Sequence, residues 1–335
     1  MKFNIIIPDL LRSLPDIEQS ILGGECHIEA LAKSRESDLP DEIESADALM
    51  VWHEITIGPQ TISRLKRCKV IARYGVGFDN IDLEAAGVRG IPVFNVPDYG
   101  TNDVADHTMA MLLHLARGLG GFNSFVRDQV PGWDWAAAGL LHRLTDRCLG
   151  IIGLGRIGTA VALRAKSFGL KVVFYDPYVA DGMDKALGVT RHELDELLEC
   201  ADIISFHCPL TEETRNMADA SFFSRAKQGV VLINTARGAI VEFPSLERAL
   251  RSDKVSSAGL DVLPCEPPDE ADPLIRAWRK KEEWIQNRMI LTPHAAFYSE
   301  EAIKELRTKT ALTVRRVLNG EMPRNCINSQ FLKSA

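Results

Sequence analysis

One ten-residue stretch constrains this chain more than any other: Leu149-Gly150-Ile151-Ile152-Gly153-Leu154-Gly155-Arg156-Ile157-Gly158. An apolar run that reads as a strand leads into Gly153-x-Gly155-x-x-Gly158, and a helical run at 159–168 follows. The first glycine allows a tight turn. The second lets the backbone approach a pyrophosphate, and the third lets helix and strand pack closely. The helix start points N–H groups and the positive end of its dipole at the phosphates, and Arg156 and Ile157 of the glycine loop join the cofactor-binding set. Asp176 stands 18 residues beyond Gly158, at the end of the apolar run 171–175. A carboxylate there accepts hydrogen bonds from ribose hydroxyls and repels a 2′-phosphate. The stretch predicts a dinucleotide site that favours NAD over NADP.

The surrounding pattern predicts the architecture. Compact apolar runs at 148–152, 171–175, 202–206, 230–233, 257–260 and 289–291 alternate with helical segments, as in a doubly wound sheet. The first hundred residues hold a shorter series at 5–7, 48–52, 70–72 and 92–94, without the polar alternation of a half-exposed strand. Tyr99-Gly100 reads as a turn, with Thr101 or Asn102 as a cap for a helix bearing Val104, Met111, Leu112 and Leu115. The glycine-rich stretch 118–139, with Trp133 and Trp135, reads as an exposed arm or loop. A helix follows at 299–318, and the short tail after it is expected to pack back on another domain. The fold class expected is α/β: two doubly wound parallel-sheet domains, a Rossmann NAD-binding domain inserted into a flavodoxin-like substrate domain. The substrate domain takes 1–99 and 297–335, and the NAD-binding domain takes 100–296.

Composition excludes other classes. At roughly 150 residues per domain, 335 residues make about two domains. Acidic residues (46) outnumber basic ones (39), and the formal charge of −7 speaks against a nucleic-acid surface. The local cluster Arg279-Lys280-Lys281 runs straight into Glu282-Glu283 and reads as a solvated helix face. No apolar run approaches the ~18 residues of a membrane span, and the N-terminal run is too short for a signal peptide. The seven cysteines are scattered without a Cys-x-x-Cys, which fits reduced thiols in a cytoplasmic protein rather than a disulfide scaffold or a zinc site. Cys208 and Cys265 are expected to be small buried thiols, and no metal is expected.

Three residues follow three successive strands: Arg237 after 230–234, Glu266 after 259–262 and His294 after 289–293. In an open α/β sheet, ligands bind beyond the carboxyl ends of the strands. The set suits hydride transfer at C2 of a 2-hydroxy acid. A histidine takes the hydroxyl proton, a carboxylate on its other nitrogen fixes the tautomer, and an arginine pairs with the substrate carboxylate through its planar fork.

At this point the chain resembles the D-isomer-specific 2-hydroxyacid dehydrogenase family over nearly its whole length. The motifs are Gly75-Val76-Gly77-Phe78-Asp79-Asn80-Ile81-Asp82, the glycine loop, Asn234-Thr235-Ala236-Arg237-Gly238, Asp261-Val262-Leu263-Pro264-Cys265-Glu266-Pro267 and Thr292-Pro293-His294-Ala295-Ala296. The resemblance implies that Arg237 anchors substrate, that His294 is the acid/base and that Glu266 is its partner. It implies that Asp261 contacts the nicotinamide carboxamide and that the backbone of Val76 and Gly77 binds the substrate carboxylate. It places Thr101, His207, Pro209, Thr214 and Thr235 near the cofactor. It also implies a homodimer formed through 101–146. Formate-oxidising members carry Gln as the His partner, so Glu266 speaks against that substrate.

Within the family, the chain is most similar to the C-terminal-binding-protein branch. The residues are His53-Glu54-Ile55-Thr56-Ile57, Arg73 before the Gly-Val-Gly turn, Phe174-Tyr175-Asp176-Pro177-Tyr178 and His294-Ala295-Ala296-Phe297-Tyr298-Ser299-Glu300. Arg73 and Phe297 join the substrate-binding set. Animal members carry Trp where Phe297 stands, which implies a different side-chain preference here. The stretch 272–288 is longer than usual and reads as a packed surface helix with Pro273 in its first turn. The leading expectation is an NAD-dependent dehydrogenase acting on a small 2-keto or 2-hydroxy acid, without nucleic-acid or membrane partners. The alternative is an NAD-responsive binding or scaffold protein.

Overall fold

The computed structural model describes residues 2–332 apart from 10, 12, 13 and 140; the end of the expected substrate domain, 333–335, lies outside them. The chain divides into two compact units, Met1–Gly100 with Ser299–Ala335, and Thr101–Tyr298. Gly100 thus groups with the first unit, whereas Phe297 and Tyr298 group with the second.

The first unit is a five-stranded parallel sheet in the order β2-β1-β3-β4-β5: β1 Phe3–Ile7, β2 Cys26–Ala30, β3 Ala48–Val51, β4 Val70–Arg73 and β5 Val93–Phe94. This is the flavodoxin-like order. Every residue of β3 and β4 is buried, which is why they read as unbroken apolar runs. β2 was not expected. It is an edge strand whose His27 and Glu29 interrupt the apolar pattern. Helices α1 (Asp16–Leu22), α2 (Pro59–Arg64) and α3 (Leu83–Val88) belong to this unit. So does α12 (Glu300–Leu318), capped by Ser299 Oγ, which accepts from the Ala302 N–H at 3.0 Å. Arg307 of α12 ties it to α1 through Glu18 (2.6 Å), and the Tyr74 hydroxyl donates to the same carboxylate at 2.9 Å. Both charges are buried, so their retention rests on these added hydrogen bonds.

Asp9, at the exit of β1, is fully buried and accepts the Trp52 N–H at 2.9 Å. Burial pushes its pKa up to about 6. The folded value lies above the unfolded one, so the group favours folding only in acid, and its cost grows as pH rises through 6. Asp9→Asn is therefore expected to gain stability relative to the parent between pH 4 and 8, by up to about 3 kcal/mol. Denaturant unfolding at both ends of that range checks it; a pH-independent difference would contradict it.

The second unit is a seven-stranded parallel sheet in the order β12-β11-β10-β9-β6-β7-β8. Its strands are β6 Cys148–Ile152, β7 Lys171–Tyr175, β8 Thr190–Arg191, β9 Ile203–Phe206, β10 Val230–Asn234, β11 Val255–Leu260 and β12 Met289–Leu291. In chain order within the unit this is the Rossmann arrangement with a seventh strand added beyond the sixth. β8 was not expected, because two residues at a sheet edge leave no apolar run to read. The helices are α4 (Thr101–Ala116), α5 (Leu119–Asp128), α6 (Arg156–Ser167), α7 (Met183–Leu187), α8 (Leu194–Cys200), α9 (Ala220–Arg225), α10 (Phe243–Arg251) and α11 (Pro273–Arg279).

Four expectations are corrected. α4 begins at Thr101 itself, so neither Thr101 nor Asn102 stands outside it as a cap. α6 starts three residues earlier than read, directly after Gly155. Residues 119–128 form a helix where a loop was expected. Glycines lower helix propensity there, and at Gly120 the helix packs closely, since a Cβ would meet His114 Nε2 at 2.8 Å. Cys265 is exposed rather than buried, and all seven cysteines are free. Within the long segment 272–288 only Pro273–Arg279 is helical: Asp272 caps this α11, its Leu274 and Ile275 are buried in the core of the unit, and Ile285 is buried there from the turns that follow. Among the described residues no helix is long and apolar enough to cross a membrane.

Candidate active site

The cofactor side of the second unit is built at the exits of β6, β7 and β9. Gly153 has φ +94°, and a Cβ there would meet the Cys208 nitrogen at 2.5 Å. A Cβ on Gly158 would sit 2.1 Å from the Gly153 oxygen. A Cβ on Gly155 would meet nothing within 4 Å, so open space lies over the start of α6, where Arg156 and Ile157 stand. Tight turn, open approach and close packing thus fall on the three glycines in the order a pyrophosphate loop needs. Asp176 is fixed beside this loop: one carboxylate oxygen accepts the Leu154 N–H at 2.8 Å and the other the Tyr178 N–H at 2.9 Å.

The loop after β9 is closed by Thr214, whose hydroxyl donates to the Pro209 carbonyl at 2.6 Å and accepts the Thr211 N–H at 2.8 Å. His207 Nε2 lies 2.9 Å from Ser205 Oγ, and desolvation pushes the imidazole down to about 3, so it is neutral at pH 7. These residues fit NAD.

The chemical side lies at the exits of β10, β11 and β12, which are neighbours in the sheet. Asn234 closes the first exit loop: its Oδ1 accepts the Ala236 N–H at 3.0 Å and its Nδ2 donates to the Arg237 carbonyl at 2.9 Å. Arg237 follows directly, its Nη1 donating to the Ala236 carbonyl at 2.7 Å. The next residue has to be glycine, because a Cβ on Gly238 would lie 1.9 Å from the Leu263 backbone in the loop that carries Glu266.

Glu266 Oε1 accepts the Leu263 N–H at 2.8 Å, and Oε2 stands 2.7 Å from His294 Nδ1. A carboxylate only accepts, so Nδ1 carries a proton and Nε2 is the ring nitrogen that can exchange one. His294 has φ +52°, a left-handed conformation unusual for a side chain of this size. Its N–H donates to the Asp261 carbonyl at 2.8 Å. The Asp261 carboxylate accepts from the Thr292 hydroxyl (2.5 Å) and the backbone N–H groups of Ala295 (2.8 Å) and Ala296 (2.9 Å). Buried Asp261 thus shapes the turn that presents His294, a role the sequence did not suggest. Phe297 meets the His294 ring edge-on, with centroids 6.3 Å apart.

In the first unit, Arg73, Val76 and Gly77 stand together at the exit of β4. Gly75 has φ +143°, and a Cβ there would collide with the Arg73 guanidinium. The turn is pinned by Asn95 Nδ2, which donates to the Val76 carbonyl at 2.6 Å, and by the Val96 N–H, which donates to the Gly75 carbonyl at 3.0 Å. Trp52 stacks on Tyr74 with ring centroids 4.5 Å apart. Among the described residues, no group of three or more His, Cys, Asp or Glu could hold a metal ion.

Residues 109–296, more than half of the chain, match the family described as D-isomer specific 2-hydroxyacid dehydrogenase, NAD binding domain. The chain belongs to this family. The dehydrogenase is 35% identical over 294 residues to a glyoxylate reductase of Korarchaeum cryptofilum, covering 88% of this chain and 86% of that one. It is 33% identical over 308 residues to a D-3-phosphoglycerate dehydrogenase of Mycobacterium leprae, covering 92% of this chain and 56% of the relative. Its structure is similar to that of a D-lactate dehydrogenase from Aquifex aeolicus, crystallised with NAD and lactic acid. The TM-score is 0.84 at 31% identity, covering 95% of this chain and 96% of that one. The second unit is thus the NAD-binding domain of an oxidoreductase.

Proposed function

We propose that the enzyme interconverts a D-2-hydroxy acid and its 2-keto acid, with His294 as acid/base, Glu266 as the group that orients it and Arg237 as the anchor for the substrate carboxylate. The 2.7 Å contact between Glu266 and His294 Nδ1 carries this reading, because it leaves Nε2 as the one ring nitrogen able to take a proton. Bound NAD supplies the hydride acceptor at C2, or the donor in its reduced form. In oxidation, Nε2 takes the proton of the C2 hydroxyl; in reduction, the same nitrogen returns a proton to the carbonyl oxygen. Glu266 holds the ring through both directions and balances the imidazolium when it forms. The Arg237 fork fixes the carboxylate, and with it the face of C2 that reacts.

In the same reading Arg73, Phe297 and the backbone of Val76 and Gly77 contact substrate, Asp261 the nicotinamide carboxamide, and Thr101 and Thr235 the cofactor. The substrate domain is 1–99 with 297–335. A homodimer through 101–146 belongs to the proposal as well; Trp133 and Trp135, each 88% exposed, supply apolar surface for it.

The relatives named above differ in substrate, from glyoxylate to lactate and 3-phosphoglycerate, so the stereochemistry is the sharper test. NAD reduction is measured with the two enantiomers of each hydroxy acid. Consumption of the D form alone is expected, and consumption of the L form would contradict the reading.

A further inference from the structure

Two successive residues of α4 reach the two loops that carry His294 and Arg237. His107 Nε2 lies 3.0 Å from Thr292 Oγ1 and 3.8 Å from Asp261 Oδ1. The Thr292 hydroxyl has a single proton, and at 2.5 Å it gives that proton to Asp261. Its oxygen can therefore only accept from His107, which fixes a proton on His107 Nε2. On the next residue, Thr108 donates its hydroxyl proton to the Val104 carbonyl of its own helix at 2.8 Å, so the Thr235 hydroxyl, 2.9 Å away, must donate to Thr108. Thr108 is fully buried and 27% of the His107 side chain is exposed.

We infer that His107 and Thr108 are positioning residues for the reaction: His107, through Thr292 and Asp261, holds the left-handed turn that presents His294, and Thr108, through Thr235, holds the loop that presents Arg237. The physical need is clear on the histidine side. A non-glycine residue at positive φ persists only where its surroundings over-determine it. Asp261 receives four hydrogen bonds from residues 292–296, one of them through its main-chain carbonyl. The Thr292 link keeps its direction only while a donor saturates the Thr292 oxygen. A displacement of the acid/base of about 1 Å costs on the order of a hundredfold in rate.

The inference rests on the roles proposed for His294 and Arg237, so the test includes a readout that needs no substrate. The variants are His107→Gln, whose amide N–H falls where Nε2–H stands, and His107→Asn, whose amide is too short to reach Thr292. Both are polar, Asn ranks with His itself in helix propensity and Gln ranks above it, so neither is expected to unfold α4. In ¹⁵N-histidine-labelled enzyme, the Nδ1 proton of His294 held by Glu266 is assigned by its loss in His294→Ala. Asn is expected to broaden or abolish that signal and to lower kcat about tenfold or more, with KM for the keto acid changed less than about threefold. Gln is expected to restore both signal and kcat. Thr108→Val is expected to show the opposite split, a raised KM with kcat little changed. If Asn and Gln behave alike, or if the signal and kcat survive in Asn, the inference is overturned. If the parent enzyme turns over no 2-keto acid while the Asn variant alone loses the His294 proton, the positioning role stands and the assigned reaction falls.

Discussion

His294→Ala is expected to lower kcat by about two to four orders of magnitude, the range of a general acid/base group, while NAD affinity stays near the parent value. Nε2 is the ring nitrogen away from the Glu266 contact and the one that takes the proton in this reading, and the glycine loop and Asp176 stand at other strand exits. Without the imidazole, water must take or give the C2 hydroxyl proton. The backbone at position 294 needs a control of its own, because φ there is +52° and alanine enters that region at a cost of roughly 1 kcal/mol. Asparagine tolerates left-handed geometry better and carries no comparable base. His294→Asn should therefore match His294→Ala in kcat. Steady-state rates, with NAD affinity read separately, decide the matter; a His294→Asn enzyme that turns over near the parent rate would place the acid/base elsewhere.

Arg237→Ala is expected to lower kcat/KM by about a hundredfold to ten-thousandfold. Hydrogen bonds to a charged group are worth ~1.5–3 kcal/mol each, and a bidentate pair makes two. The substrate carboxylate is charged before and during hydride transfer, so most of the loss belongs in KM. The part that orients C2 belongs in kcat. Asn234 holds the turn through backbone groups of Ala236 and Arg237, so the loop itself should survive truncation of the side chain. Arg237→Lys should recover only part of the loss, since an ammonium restores the charge without the fork. Initial rates across a keto-acid concentration series separate the two effects; an alanine variant with unchanged KM would remove Arg237 from the substrate.

The sequence made the central strands of both sheets legible because they are covered on both faces, and their buried side chains leave unbroken apolar runs. It hid β2 and β8 for the complementary reason. Edge strands are short or carry polar residues such as His27 and Glu29. It hid α5 because Gly120 and Gly121 weaken helix propensity, while the close packing of Gly120 against His114 exists only in three dimensions. The residues of the proposed chemistry were legible because each stands at the end of a strand. Their supports were not. His107 lies 185 residues from Thr292 in the chain, and Thr108 lies 127 from Thr235. No local periodicity announces such pairs, and a histidine inside an amphipathic helix looks like any other.

Oxidation of NADH by the purified enzyme, offered 2-keto acids graded in size and charge from glyoxylate upward, is the most direct measurement of the central claim. Turnover of at least one of them to the D-hydroxy acid, abolished to within about a hundredth in His294→Asn, is the result expected. No turnover across the whole series, or turnover that persists without His294, would contradict it.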